Sequence, residues 1–410
     1  MVATKLYVFC YLPGALRATP AGLFTHEDGI RVGTFAYGRR YLERQEAVPV
    51  DPVALPLGLE PLPVTTNGGL YGAFRDASPD YWGRLVIASC IGRPADSMSE
   101  VDFLTHANAT RAGNLDFRPA LDSPEPVLEP PAFQELSQLL AAAAAIEDGG
   151  QVDTHTRAMF EQGTSLGGAR PKCTVTLDGE LWLAKFPSRY DRFDLPRAEF
   201  ATMKLAEKCG MHVPETRLEM IGRHAVFLTK RFDREAVEGG WARRAYLSAL
   251  SLAEWDERDR HLWSYSRLAE RMRQYSGSVS ADLEELFRRI AFNILVRNTD
   301  DHPRNHGFLA QNDGVRLAPL FDVEPSMAQP GVSTEFSLAM SVGPTGRLGS
   351  LSNLCADARV YNLTRSAAEK LCDELRDAVA NSWEKIFADC GIGKTEQDAF
   401  APTFEGVRHR

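Results

Sequence analysis

The stretch Asn298–Asp322 reads NTDDHPRNHGFLAQNDGVRLAPLFD and holds the groups that decide the fold. Asp300 and Asn305 stand five positions apart. This is the spacing of a phosphoryl-transfer loop, in which the Asp orients a hydroxyl nucleophile and the Asn ligates Mg²⁺. Two apolar runs around the sequence QNDG at 311–314 predict a β-hairpin that returns Asp322 to this loop as a second metal ligand.

The same residue types are also common in ordinary loops, so an Asp and an Asn at this spacing carry little weight alone. The hairpin and Asp322 together favour the catalytic interpretation over the plain loop. The rest of the chain must decide between them.

Composition limits the class of protein. The 410 residues are 44% hydrophobic and 25% charged, which predicts a globular protein of two or three domains with a sizeable core. A net charge of -9 argues against a basic nucleic-acid surface over the whole molecule. The seven cysteines form no C-x-x-C pair, so we expect reduced thiols. The apolar runs near the start and at 139–146 are too short for secretion or membrane insertion, which predicts a cytoplasmic protein without membrane contact.

The segment from about residue 157 is predicted to begin a two-lobed unit. Lys185 lies mid-strand in LAKFP, where a buried strand would otherwise carry an apolar residue, so its ammonium needs a partner or a ligand. Glu199, in a helix predicted at 197–209 and ended by Gly210, is a candidate partner, although a solvated glutamate is an equal alternative. The preceding TSLGGARPK at 164–172 has a Gly-Gly pair whose N–H groups can approach phosphate oxygens, although such pairs are often only turns.

Phe232 follows the last strand predicted in this lobe, within the sequence KRFDR at 230–234. It could stack on a nucleobase at a hinge between the lobes. A charged connector with Phe232 in the core is equally consistent with the spacing.

Local sequence patterns predict further strands, helices and a linker. A small antiparallel sheet is predicted near the N-terminus, and residues 69–93 are predicted to contain one N-capped helix with Pro79 in its first turn. The Pro-rich segment 118–131 is the best candidate for a linker. Further helices are predicted at 133–146 and 280–296, and a C-terminal helix is predicted to start with a capping box of Ser366 and Glu369.

These segments occur in an order that resembles the HipA family of serine/threonine kinase toxins. The resemblance is carried by SLGGARPK, AKFP, a helical glutamate, KRFDR, NTDDHPRN and LFD, together with the N-terminal FRDASPDYWGR and DFLTHANATRAGNLDF. It implies an α+β fold with a protein-kinase-like two-lobed core and an added N-terminal β-rich subdomain. The implied domains are an N-terminal subdomain at 1–118, a Pro-rich linker and helix at 119–156, a kinase N-lobe at 157–234 and a helical C-lobe at 235–410.

The resemblance also implies a chemistry, the ATP- and Mg²⁺-dependent phosphorylation of protein hydroxyls. Asp300 would be the catalytic base, Lys185 the phosphate lysine, and Asn305 and Asp322 the metal ligands. The implied ATP-binding residues are Gly167, Gly168, Ala169, Arg170, Pro171, Lys172, Lys185, Lys230, Arg231, Phe232, His302, Pro303, Arg304, Asn305, Phe321 and Asp322.

The resemblance also bears on Ser165 and Asp301. Ser165 matches a serine whose autophosphorylation silences the family's enzymes, and a phosphate there would add charge beside the nucleotide loop. Asp301 stands where glycine is common in the family, so either Asp300 or Asp301 faces the substrate.

The implied partners are a DNA-binding antitoxin of the HipB type, operator DNA reached mainly through that antitoxin, and a protein substrate such as an aminoacyl-tRNA synthetase. Two other functions use a similar core. One is a small-molecule phosphotransferase resembling an antibiotic kinase, against which Ser165 and the N-terminal module argue. The other is a non-catalytic corepressor, against which the intact Lys185, Asp300, Asn305 and Asp322 argue.

Overall fold

The computed structural model describes residues 3–148, 168, 170–327 and 335–405. The chain divides into two compact units. The first comprises Met1–Tyr190, Ile221–His224 and Leu228–Glu257, and the second comprises Asp191–Met220, Ala225–Phe227 and Arg258–Arg410. The four-domain division expected from the sequence stays a prediction. Within the described ranges, no helix combines the length and the apolar content that crossing a bilayer requires.

The first unit begins with the predicted antiparallel sheet. Its strands are β1 (Thr4–Tyr11), β2 (Ala18–Glu27), β3 (Val32–Tyr37), β4 (Leu62–Val64) and β5 (Leu115–Arg118). Their order is β4-β3-β2-β1-β5. Phe74 fixes the core on one face, because its ring meets Phe24 at 5.2 Å and Phe35 at 5.7 Å, both edge to face.

The first unit also contains the helices α1 (Arg39–Leu42), α2 (Gly72–Ala77), α3 (Tyr81–Ile91), α4 (Glu100–His106) and α5 (Leu136–Glu147). The N-capped helix predicted within residues 69–93 is present as α3, but its N-cap is Asp80, so Pro79 precedes the helix and the prediction that it lies in the first turn is wrong. The preceding helix α2 was not predicted. It ends before Pro79 because a proline disfavours helical backbone at the residue before it, and Ser78 is extended at φ -80 and ψ 145.

The four strands predicted between residue 157 and the connector at 230–234 are present as β6 (Lys172–Leu177), β7 (Glu180–Lys185), β8 (Thr216–Ile221) and β9 (His224–Lys230). Three further strands follow where a helical lobe was predicted from residue 235, so that prediction is wrong for this stretch. They are β10 (Arg234–Val237), β11 (Gly240–Arg243) and β12 (Tyr246–Ser248). β7 lies between β6 and β9, and β8 lies outside β9. The β6–β7 register places Lys172 directly opposite Lys185.

The remaining elements are mainly helical. They are α6 (Leu195–Lys208), α7 (Ala249–Leu252), α8 (Tyr265–Tyr275), α9 (Val279–Leu295), α10 (Leu351–Ala356), α11 (Arg365–Asp389) and α12 (Lys394–Glu405). The predicted hairpin is confirmed as β13 (Gly307–Gln311) and β14 (Gly314–Leu317). Gly210, predicted to end α6, has φ 76, a backbone conformation that glycine adopts without cost.

The start of α11 differs from the prediction. Thr364 is the N-cap, and its hydroxyl accepts a 3.2 Å hydrogen bond from the Ala367 amide. Ser366 lies inside the helix and is exposed, while Glu369 accepts a bond from Arg365 at 2.8 Å. The predicted capping box of Ser366 and Glu369 is therefore wrong. The N-cap is Thr364, two positions earlier, and its hydroxyl already satisfies the first-turn amide.

We expect Thr364→Ala to lower the free energy of unfolding by about 1 kcal/mol, since it removes an N-cap. Ser366→Ala is the matched control and should change it by less than about 0.5 kcal/mol, because it removes an exposed hydroxyl inside a helix. Urea titrations of both variants, followed by circular dichroism, measure the difference. Equal destabilisation by both, or a larger effect of Ser366→Ala, would contradict the cap seen here.

Candidate functional site

The turn between α9 and β13 holds Asp300 by its backbone. The Asp300 amide donates to Asn298 Oδ1 at 3.3 Å, and Asn298 is tied to the end of α9 by its amide, 2.8 Å from the Asn293 carbonyl oxygen. From the other side, Asn305 Nδ2 donates to the Asp300 carbonyl oxygen at 2.8 Å. Asn298 and Asn305 are buried, whereas Asp300 is exposed. The backbone of Asp300 is thus fixed on both sides while the residue itself is open to solvent.

The neighbouring Asp301 has the opposite environment. It is 1% exposed, and its carboxylate accepts hydrogen bonds from the Tyr265 hydroxyl and, at 2.7 Å, from the Ala339 amide. Tyr265 opens α8, and Ala339 lies far along the chain, so Asp301 joins the turn to two other parts of the second unit. Of the two adjacent carboxylates, Asp300 is the one that can reach a substrate.

Burial shifts the pKa values of Asp301 and His306. It raises the pKa of Asp301 to about 7, and the Asp300 charge adds to this, although the bonds from Tyr265 and Ala339 oppose it. His306, with Nε2 3.2 Å from the Tyr265 hydroxyl oxygen, is also buried. Its burial, with the nearby Arg289 and His302, lowers the pKa of His306 to about 3. Tyr265 therefore joins a neutral imidazole to a carboxyl group that titrates near neutral pH.

The predicted metal ligand Asp322 lies in a group of carboxylates. Ligand oxygens of Asp322, Glu199 and Glu324 all lie within 4.8 Å of one another, and Glu199 is 2% exposed. Carboxylates this close repel one another unless a cation or a proton is shared between them. An all-oxygen donor set is the kind that Mg²⁺ prefers. These residues therefore fit a hard divalent cation.

The backbone at Asp322 and the buried Val323 bring the carboxylates of Asp322 and Glu324 together. Asp322 has φ 58, in the left-handed region that Asp adopts more readily than most residues. Val323 between Asp322 and Glu324 is buried, so it anchors the segment. The Leu320 amide adds a 2.8 Å bond to the His212 carbonyl oxygen. Sequence reasoning missed Glu324, although its position two residues after Asp322 was a usable signal.

The other residues predicted on this side lie in the same turn or next to Asp322. Pro303 to Asn305 form a single 3-10 turn that starts at His302. Pro303 is buried, while His302, Arg304 and Phe321 are half-buried.

The first unit contains the predicted phosphate lysine. Lys185 is 8% exposed at the end of β7, and Lys172, opposite it on β6, is 5% exposed. Directly opposed like charges destabilise a strand pair. The β6–β7 register therefore brings two buried lysines to one position of the first unit. Lys185 and Glu199 are both buried, and the ion pair between them stays a prediction.

The predicted nucleotide loop is held by residues that sequence reasoning did not assign to it. Asp80 Oδ2 accepts a 2.9 Å bond from the Gly168 amide, and the Trp82 amide donates to the Gly168 carbonyl oxygen at 3.2 Å. Trp82 Nε1 also donates to the Lys172 carbonyl oxygen at 3.0 Å. Gly168 has φ 109, a backbone conformation that residues with a side chain rarely adopt, so glycine is favoured there. The start of α3 thus supports the loop.

Arg170, half-buried, and Pro171, buried, continue this loop into β6. The Pro171 carbonyl oxygen accepts a 3.0 Å bond from the Phe186 amide, which extends the β6–β7 pairing. Ser165, Gly167 and Ala169 lie outside the described residues.

The predicted hinge residues have different surroundings. Lys230 Nζ is 3.0 Å from Glu180 Oε1. Arg231 is buried, and its guanidinium donates to Asp233 at 2.8 Å and to the Thr110 carbonyl oxygen at 2.6 Å. Phe232 is half-buried, with its ring centroid 6.3 Å from that of Tyr246. The Arg231 side chain is engaged inside the first unit, while Phe232 keeps an accessible surface.

The chain is similar to known proteins in sequence. The family model described as the HipA-like C-terminal domain matches residues 164–383. Y4mE of Sinorhizobium fredii (strain NBRC 101917 / NGR234) is 25% identical over 415 residues, 94% of each chain. The serine/threonine-protein kinase toxin HipA of Shewanella oneidensis is 27% identical over 142 residues, 30% of this chain and 33% of that one.

A solved structure has the same fold. It is a chain of the Shewanella oneidensis MR-1 toxin–antitoxin complex of HipA, HipB and operator DNA. The TM-score is 0.72 at 17% identity, with 98% of this chain and 97% of that chain covered. The predicted α+β fold of the HipA type is confirmed.

Asp301→Asn should change how stability depends on pH. The pKa of Asp301 is raised to about 7, so in the parent its contribution to stability is full below the unfolded value near 3.9 and is lost as pH rises towards 7. The lowered pKa of His306, about 3, contributes stability that grows with pH between there and about 6.5. Without Asp301, stability should rise more steeply between pH 4 and 6.5, by up to about 1 kcal/mol per pH unit.

Urea midpoints of parent and variant across this pH range measure the effect. His306→Gln is the matched control and should shift the slope in the opposite direction. Parallel curves for the parent and both variants would show that neither group titrates as its surroundings require.

Proposed function

Because the chain belongs to the family of the HipA-like C-terminal domain, we propose that it is an ATP- and Mg²⁺-dependent serine/threonine protein kinase. The observation that carries this proposal is the exposed Asp300 beside the buried Asp301, in a turn braced by Asn298 and Asn305. A general base must be accessible and rigidly placed to accept a hydroxyl proton. Asp300 meets both conditions.

Asp300 orients the substrate hydroxyl and takes its proton as the phosphoryl group is transferred. Asn305 serves two roles in this proposal. Its Nδ2 holds the Asp300 carbonyl oxygen, and the other end of the same amide, Oδ1, is the metal-ligating atom. A variant at Asn305 would therefore disturb both the base and the metal.

Asp322 and Asn305 would hold Mg²⁺, with Glu324 as a further carboxylate in the same group. When bound, Mg·ATP supplies a phosphoryl group whose developing charge the metal neutralises. The buried Val323 and the left-handed backbone at Asp322 keep the two carboxylates of this segment together.

Lys185 would neutralise ATP phosphates, and Lys172, opposite it on β6, supports this role by placing a second cationic side chain at the same register position. The loop from Gly167 to Lys172 would present backbone amides to the same phosphates, and Asp80 and Trp82 position it through Gly168. Phe232 would contact the adenine ring, while Lys230 and Arg231 contribute through the backbone of the connector.

We further propose that the protein is a cytoplasmic toxin of a type II toxin–antitoxin pair. The HipA–HipB–operator complex of Shewanella oneidensis supports a small DNA-binding antitoxin of the HipB type as the partner. The net charge of -9 suits a protein that approaches operator DNA mainly through that partner. The substrate would be a translation-related protein such as an aminoacyl-tRNA synthetase, and phosphorylation of Ser165 would switch the enzyme off.

A small-molecule phosphotransferase is the second candidate, because it would use the same base and metal ligands. The 27% identity over 142 residues with the serine/threonine-protein kinase toxin HipA of Shewanella oneidensis supports the protein kinase instead. Transfer of phosphate to an aminoglycoside with none to protein would favour the second candidate.

Incubation of the purified chain with radiolabelled ATP and Mg²⁺ tests the proposal, with label located by peptide mapping. We expect label on the Ser165 peptide in the parent and a loss of at least about 100-fold in Asp300→Ala, because general base and orientation are both removed. Asp398→Ala is the matched control, since it removes an exposed carboxylate of α12.

Label that persists in Asp300→Ala would contradict the role of Asp300. Binding of Mg·ATP without transfer to any protein or small molecule would contradict the kinase and favour a non-catalytic corepressor.

A further inference from the structure

Two cysteines meet between α10 and α11 in the second unit. Cys355 lies near the end of α10, and Cys372 lies in the second turn of α11, with the Sγ atoms 3.6 Å apart. All seven cysteines of the chain lie among the described residues, and all are free thiols. Cys10 and Cys173, by contrast, direct their Sγ atoms at backbone carbonyl oxygens.

The two sulfurs have unequal acidity. The hydrogen bond between the two thiols lowers the pKa of Cys355. Burial and the negative charges of Glu369 and Asp373 oppose this shift, and the positive charge of Arg365 adds to it. The same bond and burial raise the pKa of Cys372, so it keeps its proton. Because the thiolate is the reactive form, Cys355 is the nucleophile of the pair and Cys372 is the resolving thiol.

The pair lies just beneath the surface. Cys355 and Cys372 are 4% and 3% exposed, so they are covered. The side chains of the nearby Arg365 and Asp373 are 71% and 58% exposed. Asp373 is adjacent to Cys372 and Arg365 opens the same helix, so the pair lies next to solvent-exposed side chains past which a small oxidant can approach.

We propose that Cys355 and Cys372 form an oxidation site, at which hydrogen peroxide or a similar small peroxide converts the two thiols to a reversible intramolecular disulfide. The proposal concerns the fold of the second unit and goes beyond the kinase function. Neither its support nor its test depends on phosphoryl transfer.

The step balances in atoms and electrons. The Cys355 thiolate attacks one peroxide oxygen, the O–O bond breaks, and the leaving hydroxide takes up the proton that Cys355 released, which yields a sulfenic acid and water. The Cys372 sulfur then attacks the Cys355 sulfur, and a second water leaves with the Cys372 proton. Two thiols and one peroxide thus give one disulfide and two waters, with two electrons passing from sulfur to oxygen.

The cross-link would join α11 to a segment that α10 organises. Asn353 of α10 donates to the carbonyl oxygens of Gly346 and Leu348 at 3.1 and 3.0 Å, and accepts a 2.9 Å bond from the Thr345 amide. The disulfide therefore ties this loop to the longest helix of the second unit.

Peptide mapping of the full chain tests the site. The protein is treated with hydrogen peroxide, its free thiols are blocked with N-ethylmaleimide in denaturant, and it is digested with trypsin without reductant. Cys355 and Cys372 fall in separate peptides, 348–359 and 371–376. We expect these two peptides joined, two hydrogen atoms lighter than their sum, and both recovered as separate blocked peptides after dithiothreitol.

Variants make the result specific. Cys355→Ser and Cys372→Ser should each lose the joined peptide, while Cys173→Ser is the matched buried control and should keep it. The half-buried Cys390 reports that the peroxide dose was sufficient. Recovery of peptides 348–359 and 371–376 unjoined, at a dose that modifies Cys390, would overturn the proposal. So would a joined peptide that persists in either variant.

Discussion

The hydrogen bonds from the Tyr265 hydroxyl and the Ala339 amide to the Asp301 carboxylate are the constraint on which the site in the second unit depends. Both oxygens of the buried Asp301 carboxylate are held in this way, while the adjacent Asp300 is exposed. Asn298 and Asn305 add backbone bonds on either side of Asp300. Burial raises the pKa of Asp301 to about 7, so a charged Asp301 costs free energy that the bonds from Tyr265 and Ala339 offset.

Basic and acidic side chains are gathered in different units. In the first unit, Lys172 and Lys185 lie opposite each other on β6 and β7, and both are buried. In the second unit, Glu199, Asp322 and Glu324 bring carboxylate oxygens within 4.8 Å of one another, an arrangement that suits a cation.

Local pattern predicted the parts of the molecule that depend on local physics. The hairpin of β13 and β14, the strand position of Lys185 and the glycine that ends α6 follow from turn residues and alternation within a few positions. The start of α11 and the break at Pro79 were predicted inaccurately because neighbouring residues compete for the same cap or turn. The support of Gly168 by Asp80 was not predicted, since 88 positions separate the two residues. The contacts of Asp301 with Tyr265 and Ala339 have the same origin, at separations of 36 and 38.

In the proposed kinase the two adjacent carboxylates have different roles, because Asp300 accepts the hydroxyl proton and Asp301 holds the turn. The most direct measurement is the single-turnover rate of phosphoryl transfer from ATP in Asp300→Asn and Asp301→Asn, with Mg·ATP affinity measured in parallel. The account predicts that Asp300→Asn binds Mg·ATP normally and does not transfer, while Asp301→Asn still transfers, at a reduced rate. Phosphoryl transfer at the parent rate in Asp300→Asn would contradict the account. So would transfer that is lost in Asp301→Asn but kept in Asp300→Asn.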